Sequence, residues 1–169
     1  NTICFKNIGQ LLQIEAGSKV RIRTNCAMLV RGGKVLKLVP NTGAKAGGYD
    51  KVIDLGGRSV MPGLVDCHTH LVFAGNRKDE MVQRIAGATY MDILKSGGGI
   101  LNTVRDTRRA TEEALYEAAL QRMRRMMVMG TTAFEIKSGY GLDLETEKKM
   151  LRVGQRLRQA LKVPVTLTY

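Results

Sequence analysis

The sequence predicts an α/β protein with a small all-β unit at residues 1–61 and a parallel sheet or barrel over residues 62–169. The first unit contains only short apolar runs separated by glycine-rich turns. After Pro62-Gly63, strands alternate with long helical patterns in the order β-α-β-α-β, which is typical of parallel sheets. Of the 169 residues, 44% are hydrophobic, which is enough for a packed core.

Six short strands are predicted in the first unit, as part of a small β-sandwich. They are Ile3–Phe5, Leu11–Ile14, Ala27–Arg31, Lys34–Val39, Lys51–Leu55 and Ser59–Met61. Gly32-Gly33 lies between two apolar runs and predicts a two-residue hairpin turn, because both glycines can take positive φ. The glycine-rich segment Asn41–Asp50 predicts a flexible surface loop.

Three strands and two long helices are predicted in the second unit. The strands are Leu64–Leu71, Thr131–Lys137 and one that starts at Val163, with helical segments between the first two. One helix has Thr111 as its N-cap and ends at Gly130. Its apolar residues recur at helical spacing: Leu115, Ala118, Ala119, Met123, Met126 and Met127. The second helix begins near Asp143 or Leu144 and buries Met150, Leu151, Leu157 and Leu161.

Composition excludes several classes of protein. No run of 18 apolar residues exists and the first residues do not resemble a signal peptide, so we expect a cytoplasmic protein without membrane insertion. Three widely spaced cysteines fit neither a disulfide framework nor a zinc finger. The net charge of +12 leaves a basic nucleic-acid-binding protein as an alternative. However, the basic residues are scattered over helix faces without a binding motif, so we expect no specific nucleic acid partner.

His68 and His70 are the only histidines, and they stand at the carboxyl end of an apolar strand. Residues two apart on a strand point to the same face, so both imidazoles can reach one metal ion. Sites in parallel α/β proteins are built at this end of the strands. Asp66 lies on the same face and could hold an imidazole in its ligating tautomer. The alternative is a polar strand end at which two histidines meet by chance.

The strand sequence Pro-Gly-x-x-Asp-x-His-x-His, from Pro62 to His70, resembles the amidohydrolase superfamily. Further segments resemble one family within it, the imidazolonepropionases, and the likeness extends from about residue 58 to residue 161. These segments are Ala86–Tyr90, Ser96–Ile100, Thr103–Arg105, Glu135–Leu142 and Lys149–Val153.

The resemblance implies the first part of a (β/α)8 TIM-like barrel of a metal-dependent hydrolase. It implies ring opening of 4-imidazolone-5-propanoate by water to N-formimidoyl-L-glutamate, a step of histidine degradation. His68 and His70 match the family's first two ligands to one divalent ion, zinc or iron. Arg77 and Tyr140 match residues that contact the substrate. The resemblance also implies a homodimer.

The sequence leaves part of such a site unassigned. No third histidine exists, so we expect the general base and the remaining metal ligands beyond residue 169. A complete barrel takes about 250 residues, whereas residues 62–169 are predicted to hold three strands. We therefore expect the first part of a longer enzyme that is inactive alone; a truncated gene model or a real short product are the alternatives. Another amidohydrolase reaction, such as deamination of a heterocycle or opening of another cyclic amide, also stays open.

Overall fold

The computed structural model describes residues 1–45 and 48–169. Contacts between residues divide the chain into two compact units, Asn1–Pro62 and Gly63–Tyr169. Each unit has its own sheet. Of the predicted loop Asn41–Asp50, residues 46 and 47 lie outside the described residues.

The first unit is one five-stranded sheet in place of two packed sheets. Its strands are β1 (Thr2–Ile14), β2 (Val20–Arg31), β3 (Lys34–Pro40), β4 (Lys51–Asp54) and β5 (Ser59–Val60). The order is β3-β2-β1-β4, and β5 pairs with the second half of β1. β1 and β2 are antiparallel, whereas β4 and β5 run parallel to β1.

The predicted strands Ile3–Phe5 and Leu11–Ile14 are one strand in the structure. Polar residues in the middle of β1 interrupt the apolar pattern, which is why two strands were predicted. The strand is also irregular at this point. Asn7 has φ 55°, and the register with β2 shifts between Phe5 and Ile8. The Asn7 backbone N–H donates to Asn41 Oδ1 at 2.8 Å. This bond stabilises the irregular backbone from outside the strand.

The segment Asn41–Lys45 is a short 3-10 helix rather than part of a flexible loop. Ala44 on this turn is buried in a cluster with Cys4, Ala27 and Leu29. A second cluster contains Ile8, Leu11 and Cys26. Burial of its thiol raises the pKa of Cys26, and likewise of Cys4, so these cysteines pack as small apolar residues.

The second unit has the predicted β-α-β-α-β order. Its elements are β6 (Leu64–Thr69), α1 (Lys78–Ile85), α2 (Tyr90–Lys95), α3 (Ile100–Arg109), α4 (Glu112–Val128), β7 (Thr131–Lys137), α5 (Leu144–Leu161) and β8 (Val165–Thr168). The three strands pair in the order β6-β7-β8, and both pairings are parallel. Parallel strands require crossover connections, which the helices provide.

The predicted helix ends are confirmed. The Thr111 hydroxyl accepts the Ala114 N–H at 3.1 Å, and the Asp143 carboxylate accepts the Thr146 N–H at 2.8 Å. Gly130 follows the end of α4 with φ 102°, a conformation that suits glycine.

The core of this unit lies between the sheet and the two long helices. Buried residues of α4, α5 and β7 form one cluster: Leu115, Ala119, Leu120, Met123, Phe134, Ile136, Met150, Val153 and Leu157. Met126, Met127 and Leu161 are only partly buried at its border. Over residues 1–45 and 48–169, no helix combines the length and the apolar character that a bilayer crossing needs.

Candidate metal and substrate site

The carboxyl end of β6 brings the two histidines together. Their ring centroids lie 5.3 Å apart, and the ring planes meet at 76°. His68 is exposed, whereas His70 is half-buried. Since both side chains leave the same edge of the sheet, one ion placed between the rings could contact a nitrogen of each.

The surroundings of His70 fit a bound metal ion. Its Nδ1 is buried and has no hydrogen-bond partner, which is unusual for a polar atom inside a protein. A Cβ on Gly139 would lie 3.1 Å from His70 Cε1, so only a glycine leaves this side of the ring uncrowded. The described residues contain no group of three or more His, Cys, Asp or Glu side chains placed to share an ion. The chain therefore offers a pair of candidate ligands.

Asp66 does not hold an imidazole as the sequence predicts. Its Oδ1 accepts the backbone N–H of His68 in a long contact of 3.4 Å. Another carboxylate, Glu135 on β7, was left unassigned by the sequence analysis, and its Oε2 accepts the backbone N–H of Thr69, between the two histidines, at 3.4 Å. Hydrogen bonds from Thr168 and from the Thr69 N–H, and the nearby His68 ring, hold the pKa of Glu135 below its ordinary value. Glu135 is therefore an ionised group beside the candidate site.

Tyr140 lies against His70 on the loop that follows β7. The centroids of these two rings are 5.2 Å apart. The Tyr140 ring also packs against the Phe73 ring, with 5.9 Å between their centroids. Glu147, in the first turns of α5, accepts the N–H groups of Gly139, Gly141 and Leu142 from this loop. The sequence analysis missed Glu147, because a glutamate near a helix N-terminus is ordinarily a solvent-facing residue that favours the helix dipole.

Arg122 supports the segment that follows the histidines. Its guanidinium lies 3.6 Å from the centre of the Phe73 ring. It also donates to the carbonyl oxygens of Leu71 and Phe73 at 3.1 and 2.8 Å. Burial lowers the pKa of Arg122. This arginine of α4 thus links the main core to the backbone next to His70.

Arg77 lies apart from these contacts, directly before α1. It is exposed, and it lines a cleft with Glu80, Met81, Arg84, Tyr90 and Ile93. Within the described residues, its guanidinium has neither a hydrogen bond nor an ion pair. Arg77 is therefore available for an anionic ligand. The structure brings His68, His70 and Tyr140 into one cluster and leaves Arg77 in a separate cleft.

The sequence is similar to the curated imidazolonepropionases. It is 57% identical to the enzyme of Pseudomonas entomophila over 119 residues, which are 70% of this chain and 30% of that protein. It is 47% identical to the enzyme of Pseudomonas savastanoi pv. phaseolicola over 153 residues, 90% of this chain and 38% of that protein. A probable imidazolonepropionase of Homo sapiens is 54% identical over 121 residues, 72% of this chain and 28% of that protein. The chain spans about a third of the length of these relatives.

The fold is shared with several solved enzyme structures. Escherichia coli guanine deaminase matches 99% of this chain with a TM-score of 0.64 at 16% identity, over 35% of its own length. A triazine hydrolase from Arthrobacter aurescens matches 98% of the chain with a TM-score of 0.60 at 15% identity, over 35% of its length. An atrazine chlorohydrolase of the same species, determined with zinc, has a TM-score of 0.59 at 14% identity, covering 98% of this chain and 35% of that one. No protein-family model matches the sequence.

Proposed function

We propose that this chain, a homologue of the imidazolonepropionases over about a third of their length, supplies two metal ligands and part of the substrate site of such an enzyme. The reaction is hydrolysis of the cyclic amide of 4-imidazolone-5-propanoate to N-formimidoyl-L-glutamate. The observation that carries the proposal is the His68–His70 pair with its unpartnered Nδ1 beside Tyr140. The identity of 47 to 57% with curated relatives supports the substrate assignment.

His68 and His70 hold one divalent ion, zinc or iron, in this proposal. Such an ion lowers the pKa of a water molecule and polarises an amide carbonyl. Catalytic zinc sites generally have three protein ligands, and the described residues supply two. We therefore assign the remaining ligands and the general base to sequence outside residues 1–169.

Arg77 and Tyr140 bind the organic substrate. The planar guanidinium of Arg77 offers two parallel N–H donors to the propanoate carboxylate, a geometry that lysine cannot provide. Tyr140 presents its ring next to His70, with the two ring centroids 5.2 Å apart, where the imidazolone ring would lie during hydrolysis. By family resemblance alone, the enzyme is a homodimer.

The positive net charge does not require a nucleic acid partner. Arg152 and Arg156 of α5 form ion pairs with Glu112 and Glu113 of α4. Arg108 forms an ion pair with Asp143 at 3.0 Å. Some of the basic residues therefore take part in contacts within the molecule, which favours the hydrolase over the nucleic-acid-binding alternative.

A substrate comparison in the complete enzyme, which has the general base that residues 1–169 lack, separates this function from those of other amidohydrolases. Arg77→Ala should raise the KM for 4-imidazolone-5-propanoate by about tenfold or more, since a charge-assisted hydrogen bond contributes about 1.5–3 kcal/mol. The same variant should leave the KM for an uncharged imidazolone nearly unchanged. Lys78→Ala, at the neighbouring exposed position, is the control. Equal effects of Arg77→Ala on both rings would contradict the carboxylate assignment, and turnover of guanine alone would favour a deaminase.

A further inference from the structure

Glu147 is a buried carboxylate for which the proposed function has no role. It is 5% exposed, whereas its neighbours on α5, Glu145 and Lys148, face solvent. Moving a carboxylate out of water is costly unless hydrogen bonds replace the lost hydration. The position of Glu147 is therefore best understood from the groups that it binds.

All of these groups belong to the loop that carries Tyr140. The N–H groups of Gly139, Gly141 and Leu142 donate to its two oxygens at 2.6, 2.8 and 2.9 Å. Burial by itself would raise the pKa of Glu147, but these bonds and one from the Ser138 side chain hold it below its ordinary value. The carboxylate thus stays ionised and binds the backbone on both sides of Tyr140.

The loop is shaped around this carboxylate. A Cβ on Gly141 would lie 2.8 Å from the Glu147 nitrogen and 2.9 Å from its Oε1, so no larger residue fits there. Gly139 has φ 129°, a conformation that other residues rarely adopt. Few other backbone conformations are therefore open to the loop where it runs past His70.

We propose that Glu147 is a positioning residue for the reaction: it fixes loop 138–142 so that Tyr140 lies against His70 and contacts the substrate. The inference rests on the proposed function, because it uses the substrate role of Tyr140. Glu147 itself does not touch the reacting atoms. Glu147 affects catalysis only by fixing the position of the Tyr140 side chain.

The first test is backbone hydrogen exchange in residues 138–142 of the whole chain. Glu147→Gln keeps the size of the side chain but replaces one acceptor oxygen by an NH2 donor, so at least one loop N–H loses its partner. We expect exchange at Gly139, Gly141 or Leu142 to accelerate at least about tenfold, since exchange follows local opening. Glu145→Gln, an exposed change of the same kind in the same helix, should leave it unchanged. Unchanged exchange in Glu147→Gln would overturn the proposal.

The second test is a double-mutant cycle on hydrolysis of 4-imidazolone-5-propanoate, measured in the complete enzyme of which this chain is proposed to be a part. Glu147→Gln should lower kcat/KM by about tenfold to a hundredfold with Tyr140 present, because a small misplacement of a contact group has effects of this size. In a Tyr140→Ala background the same change should lower it less than about twofold, because the two effects are not additive when one acts through the other. Zinc content should stay equal in all four proteins.

Two other results have distinct meanings. An equal loss in both backgrounds would show that Glu147 does not act through Tyr140, and would overturn the positioning role. Absence of hydrolysis by the complete enzyme with both native residues would instead contradict the proposed function. In that case hydrogen exchange alone decides whether Glu147 holds the loop.

Discussion

His70 has the one buried side-chain polar atom, within residues 1–45 and 48–169, that lacks a hydrogen-bond partner. A buried nitrogen without a hydrogen-bond partner is unfavourable unless a ligand binds to it. Gly139, Tyr140 and His68 surround this ring. The local arrangement therefore favours an open ligating nitrogen rather than a histidine fixed within the core.

Adding one methyl group next to His70 should weaken metal binding. Gly139→Ala places a Cβ 3.1 Å from His70 Cε1 and demands a φ of 129° from a residue that avoids it. We expect at least a tenfold higher Kd for zinc in equilibrium dialysis. Gly43→Ala, where the added Cβ meets only an ordinary contact of 3.8 Å with Val39, is the control. An unchanged Kd in Gly139→Ala would argue against His70 as a ligand.

Removing only the hydroxyl of Tyr140 should separate substrate contact from metal binding. Tyr140→Phe keeps the ring contacts with His70 and Phe73. In the complete enzyme, we expect kcat/KM to fall about tenfold, which is the effect of losing about one hydrogen bond to the substrate, while zinc content stays constant. Loss of zinc from this variant would mean that Tyr140 belongs to the metal site instead.

At the scale of helices, Lys149 of α5 joins the end of α3 to the rest of the unit. Its Nζ donates to the carbonyl oxygens of Thr107, Arg108 and Ala110 at 3.0, 3.1 and 2.8 Å. The last carbonyls of a helix have no partners within it, and a positive charge there also favours the helix dipole. Lys149 thus satisfies three acceptors with one side chain.

Replacing this lysine should destabilise the protein more than replacing its neighbour. Lys149→Met leaves the carbonyl groups without their donor, and we expect the free energy of unfolding to fall by about 1–2 kcal/mol. Lys148→Met removes only an exposed pair with Glu145 and should change it by less than about 0.5 kcal/mol. Urea denaturation monitored by circular dichroism measures both. Equal losses of unfolding free energy in the two variants would show that the hydrogen bonds of Lys149 do not stabilise the fold.

The sequence predicted those elements whose signals are local. Thr111, Asp143 and Gly130 mark helix ends by their own chemistry, and the period of two in a strand places His68 beside His70. β1 was predicted as two strands, because its middle is irregular and is stabilised by Asn41, 34 residues away. Glu147 could not be recognised, since its burial depends on a loop that folds back over the helix. Contacts between distant residues were therefore the part that local patterns missed.

The whole molecule should lose stability in mild acid. Hydrogen bonds hold the pKa values of Glu147 and Asp143 below their ordinary values of 4.5 and 3.8, although burial opposes the shift in both cases, most strongly for Glu147. As the pH falls, the unfolded chain takes up protons before the folded one does. These carboxylates therefore stabilise the fold above about pH 4.5, and this contribution is lost as the pH falls through their folded pKa values.

Urea denaturation at pH 7 and at pH 3.5 tests this dependence. The wild-type chain should lose more of its free energy of unfolding between these pH values than Glu147→Gln, which lacks one of the titrating groups. Glu145→Gln should behave like the wild type, because its carboxylate is exposed. The same loss in Glu147→Gln as in the wild type would contradict a stabilising role for the ionised Glu147.

Zinc stoichiometry tests the central claim, a metal site on the His68–His70 strand, most directly. The complete enzyme of which this chain is proposed to be a part, and its His70→Ala and Cys67→Ala variants, would be dialysed against micromolar zinc and their metal content measured by elemental analysis. Cys67 is the exposed residue between the histidines and serves as the control. We predict one zinc per chain in the wild type and in Cys67→Ala, and none in His70→Ala. Zinc retained by His70→Ala, or absent from the wild type, would contradict the account.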